Sequence, residues 1–130
     1  MSNSISPLGR WLNGTIRAVD YGRLVADFTI REEMTNPAGV LHGGAGAAIL
    51  DDLIGVMVFS LGREYAYTSI NLTIDFLHAA RKDDIVTATA EVIREGKNII
   101  HCEGRIVSNN GKIIAKCATN LIQTSVKVEL

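Results

Sequence analysis

A chain of 130 residues, 47% hydrophobic and 21% charged, suits one globular domain that buries about two-thirds of its unfolded surface, and it is too apolar for intrinsic disorder. Thirteen Lys and Arg against fourteen Asp and Glu leave a net charge of -1, which excludes the basic field that holds a nucleic-acid backbone or an anionic membrane surface. Residues 1–130 therefore read as a single domain with neither nucleic acid nor membrane as partner.

Ser6-Pro7 predicts a short helical segment over about residues 5–12, because serine accepts backbone N–H bonds and proline fits the first helical position. Trp11 is its expected packing anchor. Residues 15–31 read as two strands joined at Tyr21-Gly22, a hairpin carrying Ile16, Val19, Leu24, Val25, Phe28 and Ile30. Asn36, Pro37 and Gly39 then punctuate an irregular loop over 32–41. From 42 to 61 the residues Ala47, Leu50, Leu53, Ile54, Met57, Val58 and Leu61 recur at spacings of three and four, which predicts a long amphipathic helix. Its other side, with Ala45, Ala48, Val56 and Phe59, is apolar too, so the helix is expected to be covered nearly all round. A membrane span is excluded by Asp51 and Asp52 at the centre, each of which would cost about 2.5–3.5 kcal/mol there.

Beyond Gly62 the period falls to two. Residues 68–77, 85–94, 99–107 and 113–122 are strand-length and rich in Val, Ile and Thr. Turns fall at 95–98 and at Asn109-Asn110-Gly111, where Asn-Gly is a tight-hairpin signal. Pairing about that turn sets Cys102 opposite Thr119 and not Cys117, so the two thiols are expected to be free. Two cysteines are too few for a disulfide framework, and no basic-then-apolar segment opens the chain, so a reducing cytoplasm is the expected setting. The cysteines lack C-x-x-C spacing and His42, His78 and His101 share no ligand motif, so neither metal nor organic cofactor is expected. The element order predicts an α+β fold, one antiparallel sheet with one buried helix, whose open sheet edge calls for oligomerisation.

Asp51 and Asp52 are the only charges between His42 and Gly62, and carboxylates among apolar residues are costly unless paired or functional. Neighbouring helix positions diverge by about 100°, so the two do not form a dyad. Gly43-Gly44 deliver backbone N–H groups to the helix start, where the dipole favours an anion or a developing oxyanion. A plain reading stands beside each: Asp51 or Asp52 in a structural bond, the glycines easing close packing. Gly43 and Asp51 are eight residues apart. That is about 12 Å of helix at 1.5 Å per residue, so if both act on one carbonyl they come from different chains.

The run Asn36…Gly39-x-x-His42-Gly43-Gly44…Asp51, with Ser69 on the following strand, Gly96 in the next turn and Gly111-Lys112 before the last strand, resembles the hotdog-fold acyl-CoA thioesterases of the phenylacetyl-CoA thioesterase (PaaI) type over about residues 8–124. The resemblance implies a hotdog fold, with strands wrapped around the long helix, a homodimer that often doubles to a homotetramer, and hydrolysis of an acyl-CoA thioester without cofactor. It implies that Gly43 N–H polarises the thioester carbonyl, beside Gly44, with Asn36 and His42 positioning carbonyl or water. Asp51 of the partner subunit then acts as general base or nucleophile, and Ser69, with Thr68 beside it, orients the water. Arg81 and Lys82 are candidates for the CoA phosphates. The chain departs from the family at His78-Ala79 and Asp83-Asp84, where members often carry Arg-Pro-like and Gly-Asp pairs, which bears on affinity and acyl preference. Fold alone does not fix the reaction, so a hotdog dehydratase and a non-catalytic acyl-CoA-binding protein remain alternatives.

Overall fold

A computed structural model describes residues 6–128. Helix α1 (Pro7–Leu12) precedes the hairpin β1 (Thr15–Asp20) and β2 (Arg23–Thr29), a 3-10 turn (Glu32–Met34) leads into the loop before α2 (Gly43–Phe59), and four strands follow: β3 (Tyr65–Phe76), β4 (Ile85–Glu95), β5 (Ile99–Val107) and β6 (Ile113–Lys127). They form one antiparallel six-stranded sheet in the order β1-β2-β4-β5-β6-β3. This is the expected α+β architecture, one sheet on one long helix.

The helical spacing read in the sequence becomes the face of α2 that meets the sheet. Ile49, Leu50, Leu53, Ile54, Met57 and Val58 are buried against Ala88, Ala90, Ile100, Cys102, Ile106 and Leu121. Each such Leu, Ile or Met contributes about 1.5–3 kcal/mol by leaving water. Close approach is possible because β5 carries Gly104 beneath Leu50: a Cβ there would stand 3.2 Å from Leu50 Cδ2 and 3.1 Å from Cys117 Sγ. Cys102 pairs with Thr119 as the hairpin register requires, and both cysteines are free and buried. Burial pushes the Cys102 thiol up to about 12 and Cys117 to about 11.

Three expectations are corrected. Leu12, not Trp11, anchors α1: Leu12 is buried, whereas Trp11 is 43% exposed with the Arg31 guanidinium 4.8 Å above its ring. Residue 5 of the expected segment lies outside the described residues. Helix α2 is not covered all round by its own chain, for Asp51 and Gly55 are exposed and Ala45, Ala48, Val56 and Phe59 half-buried. Finally β3 begins at Tyr65 and β6 runs to Lys127, because the polar end of β6 pairs with the start of β3 from Tyr65↔Lys127 onward, a partner-dependent strand with little apolar alternation of its own. The sheet ends at β1 and β3. Among the described residues no helix is long and apolar enough to cross a membrane.

Candidate active site

The loop entering α2 is built by its own amides. Asn36 Oδ1 accepts from Ala38 N at 3.0 Å and Val40 N at 3.3 Å, an Asx-type turn that folds the chain back on itself. Leu41 N donates to Ala80 O at 2.7 Å and His42 N to Met34 O at 2.8 Å, which fixes the loop to the body of the protein. The Asn36 oxygen is thus engaged within the loop, and only its Nδ2 group is left to meet a ligand.

His42 is the N-cap of α2, at φ -63 and ψ 135, and its Nδ1 accepts from Gly44 N at 2.8 Å. A nitrogen that accepts carries no proton, so the neutral ring that makes this cap is protonated on Nε2 and presents a donor there. The cap also corrects the expectation for Gly44, whose N–H is held by His42 and is not offered to a substrate. Gly43 N–H, by contrast, has no acceptor among the described residues. It lies at the positive end of a 17-residue helix, on a cleft of about 300 Å³ that His42, Gly43, Gly46, Phe76, Leu77 and Ile114 line. His78 borders this cleft with Nδ1 bound to Ile113 O at 2.9 Å, a tie to the sheet.

Two turns along α2 the two aspartates part company, as the helical angle predicts. Asp52 Oδ1 accepts from Ser6 Oγ at 2.9 Å, and the same hydroxyl accepts from Gly9 N, so Asp52 docks the start of α1 on α2. Asp51 is exposed, with no hydrogen bond or ion pair among the described residues. It lines a second cleft of about 480 Å³ with Gly55, Tyr67, Thr68, Ser69 and Leu121. Its charge is felt by Cys117, although burial is the larger reason that thiol is raised. Thr68 and Ser69 are exposed on β3 just before a register shift between Ser69 and Asn71, where an edge strand re-aims its side chains.

The candidate residues therefore fall into two groups. His42 and Gly43 stand at the start of α2, behind the loop that Asn36 folds, while Asp51, Thr68 and Ser69 gather at its middle, and among the described clefts none is lined by both groups. Arg81 and Lys82 are exposed, and a bridge between Val40 and Arg81 sets them beside the first group. Lys82 also acts on Glu33, which sits below its ordinary value of 4.5 mainly through a backbone hydrogen bond and its bond to Arg31, with Lys82 the smallest contribution. Tyr67 and Gly55, which line the Asp51 cleft, were missed in the sequence; a glycine inside a helical pattern was the signal available for the second. Among the described residues no cluster of His, Cys, Asp or Glu has the makings of a metal site.

Comparison with known proteins gives a family match to the thioesterase superfamily over residues 38–115. Acyl-coenzyme A thioesterase PaaI of Escherichia coli is 31% identical over 100 residues, 77% of this chain and 70% of that protein. The solved E. coli PaaI structure superposes with a TM-score of 0.89 at 24% identity, covering 98% of this chain and 91% of that one. Human acyl-coenzyme A thioesterase 13 is 26% identical over 96 residues, 73% of this chain and 69% of its own length. A thioesterase protein from Streptococcus pneumoniae, solved with coenzyme A, matches at TM-score 0.83 and 23% identity over 89% of each chain. The six-stranded sheet with its long helix is the hotdog fold of these neighbours.

Proposed function

We propose that this chain, which belongs to the thioesterase superfamily and is a thioester hydrolase, cleaves acyl-CoA thioesters to a free acid and coenzyme A at sites shared between two copies of itself. One observation carries the reading: His42 and Gly43 open onto one cleft and Asp51, Thr68 and Ser69 onto another, so each cleft holds what the other lacks. An Asp side chain does not bridge the separation of about 12 Å along one helix, whereas an apposed second helix does.

In this reading the thioester oxygen accepts from Gly43 N–H, with His42 Nε2–H as a second donor, and the negative charge that develops on it is stabilised by donors already in place and by the helix dipole. Asp51 of the partner subunit takes a proton from the water that attacks the carbonyl carbon, or attacks that carbon itself. In either case the carbon–sulfur bond breaks and the thiolate of coenzyme A leaves, taking a proton from Asp51 on the first route and from solvent on the second; on the second route water then hydrolyses the acyl–Asp51 anhydride, which releases the free acid and restores the carboxylate. Ser69 and Thr68 hydroxyls beside Asp51 orient the water, and Asn36 holds the loop and offers Nδ2–H. Arg81 and Lys82, beside the first cleft, are suited to the CoA phosphates, a carrier supported by the coenzyme A in the streptococcal structure.

A homodimer, or a pair of dimers, is supported by surfaces that one copy leaves uncovered. Strand β3 is a 12-residue edge, and Ile70, Phe76 and Leu77 on or beside it are about half exposed, at 55%, 56% and 49%. Free buried cysteines support a reducing, cytoplasmic setting.

The test is thiol release from a panel of acyl-CoA esters, with loss expected in Asp51→Asn and not in Asp52→Asn. Mixing Asp51→Asn with Gly43→Pro should return about a quarter of wild-type activity, because half the dimers are mixed and each of those holds one intact site. A mixture as inactive as its components refutes the shared site. Enoyl formation from a 3-hydroxyacyl-CoA, or stoichiometric binding without thiol release, would replace hydrolysis by dehydration or by binding.

A further inference from the structure

Gly55 stands in the middle of α2, one turn beyond Asp51. A helix-interior glycine costs about 0.5–1 kcal/mol relative to alanine, so its presence calls for a reason. Backbone conformation supplies none, since Gly55 is not among the residues at positive φ. Packing among the described residues supplies none either: a Cβ on Gly55 would meet none of their atoms within 4 Å, whereas one on Gly46 would touch Leu41 and Phe76 at 3.6 Å. The space over Gly55 is thus filled by none of the described residues and is left open for something else.

The position of that space says what. Gly55, Tyr67 and Leu121 are shared walls between the Asp51 cleft and a smaller one of about 120 Å³, whose further lining includes Val58, Phe59 and Tyr65. The two clefts thus adjoin at Gly55, with the Asp51 carboxylate in one and apolar surroundings in the other. Arg63 also lines the smaller cleft and is itself held fast. Its guanidinium lies 5.4 Å from the centre of the Tyr67 ring, pairs with Glu95 at 2.6 Å and donates to Lys97 O at 3.0 Å. A wall residue fixed on three sides does not swing aside for a larger guest.

Resting on the hydrolase reading above, we propose that Gly55 is a specificity-determining position: the acyl group, its carbonyl carbon near Asp51, lies across Gly55 and ends in the cleft bounded by Tyr67 and Arg63. The size follows from the cleft. A hydrocarbon-lined cavity of about 150 Å³ holds one benzene, so a pocket of about 120 Å³ adjoining the Asp51 cleft takes one ring or a short branched chain and rejects a long one.

Gly55→Ala places a methyl group in this path. It is expected to keep or raise the melting temperature, and to lower the ratio of kcat/KM for benzoyl-CoA to that for acetyl-CoA by about tenfold or more, the scale on which an apolar pocket reads one methyl group. Calorimetric binding of nonhydrolysable S-benzyl and S-methyl CoA thioethers, run in parallel, should show the same selective loss. An unchanged ratio in both measurements overturns the assignment. Equal losses for both ligands overturn it too, as does dissociation of the oligomer, which would mean that the space is filled by a second copy. If wild type binds the thioethers with the selectivity that Gly55→Ala removes but releases no thiol from any ester, the hydrolase reading fails and the Gly55 path stands.

Discussion

Replacing Gly43 by proline isolates one hydrogen-bond donor, and the local backbone is already shaped for it. Gly43 is the first residue of α2, the position at which a missing N–H costs the helix nothing because that N–H has no intrahelical partner. The preceding residue, His42, is at φ -63 and ψ 135, the extended conformation that a following proline demands. A Cβ at Gly43 stands 3.4 Å from Phe76 Cζ, close to ordinary contact with an exposed side chain. Gly43→Pro should therefore fold and assemble like wild type while losing the donor. Removal of a single oxyanion donor lowers kcat by about 10²–10³, with KM little changed because the bond is made most strongly in the transition state. Gly43→Ala adds the same Cβ and keeps the N–H, so the ratio of the two variants removes the effect of the Cβ and reports exchange of the N–H for the proline ring. Steady-state thiol release, with circular dichroism and sedimentation as checks on fold and assembly, reads that ratio. Equal kcat in the two variants would refute the assignment of Gly43 as the oxyanion donor.

Three further outcomes follow from packing and charge. Gly104→Ala should lower stability by about 1–3 kcal/mol in urea unfolding, because its Cβ would crowd Leu50, Cys117 and the Thr89 carbonyl oxygen; an unchanged midpoint would mean that α2 is free to lift from the sheet. Glu95 is held below its ordinary value of 4.5 by the hydrogen bond from Tyr21 first and then by Arg63. Its contribution is thus fully present above that ordinary value and lost as pH falls through the lowered one. Wild type should lose more stability than Glu95→Gln between neutral pH and about pH 3, and equal losses would count against the link. Cys102 and Cys117, raised by burial to about 12 and about 11, should not react with a thiol reagent at neutral pH until the chain unfolds; prompt labelling of the native protein would show that the sheet opens around them.

What the sequence made legible was set by local rules. The helical spacing across 42–61 and the Asn-Gly turn were readable because each is fixed by residues a few positions apart, and the turn alone predicted the Cys102–Thr119 pair seen in the sheet. Features that need a distant partner were not readable. The polar end of β6 is a strand because Tyr65 and its neighbours pair with it; Leu12 rather than Trp11 is buried because the cation–π contact with Arg31 is made on the surface. The site followed the same division. The separation of Gly43 from Asp51 was plain from eight residues of helix, but the loss of Gly44 N–H to His42 and the docking of Ser6 on Asp52 are choices among side-chain rotamers that no spacing records. Gly55 was visible as a helix-interior glycine, yet its meaning lay in the empty space above it.

Helix α2 links these observations. It is one rigid element that carries an N–H without an acceptor among the described residues at its start and a carboxylate two turns on, and in the proposed assembly each copy gives half of its helix to each of two sites. The distance between half-sites is then set by the helical rise, which no side-chain motion alters, while their meeting is set by how two copies dock. His42 adds a second constraint at the helix start. By capping the helix through Nδ1 it fixes the proton on Nε2, so the group that starts the helix also orients the donor beside Gly43. Gly55, one turn beyond Asp51 on the same flank of this helix, leaves bare the surface along which the proposed acyl course runs, so the shape of that course is as fixed as the spacing of the two half-sites.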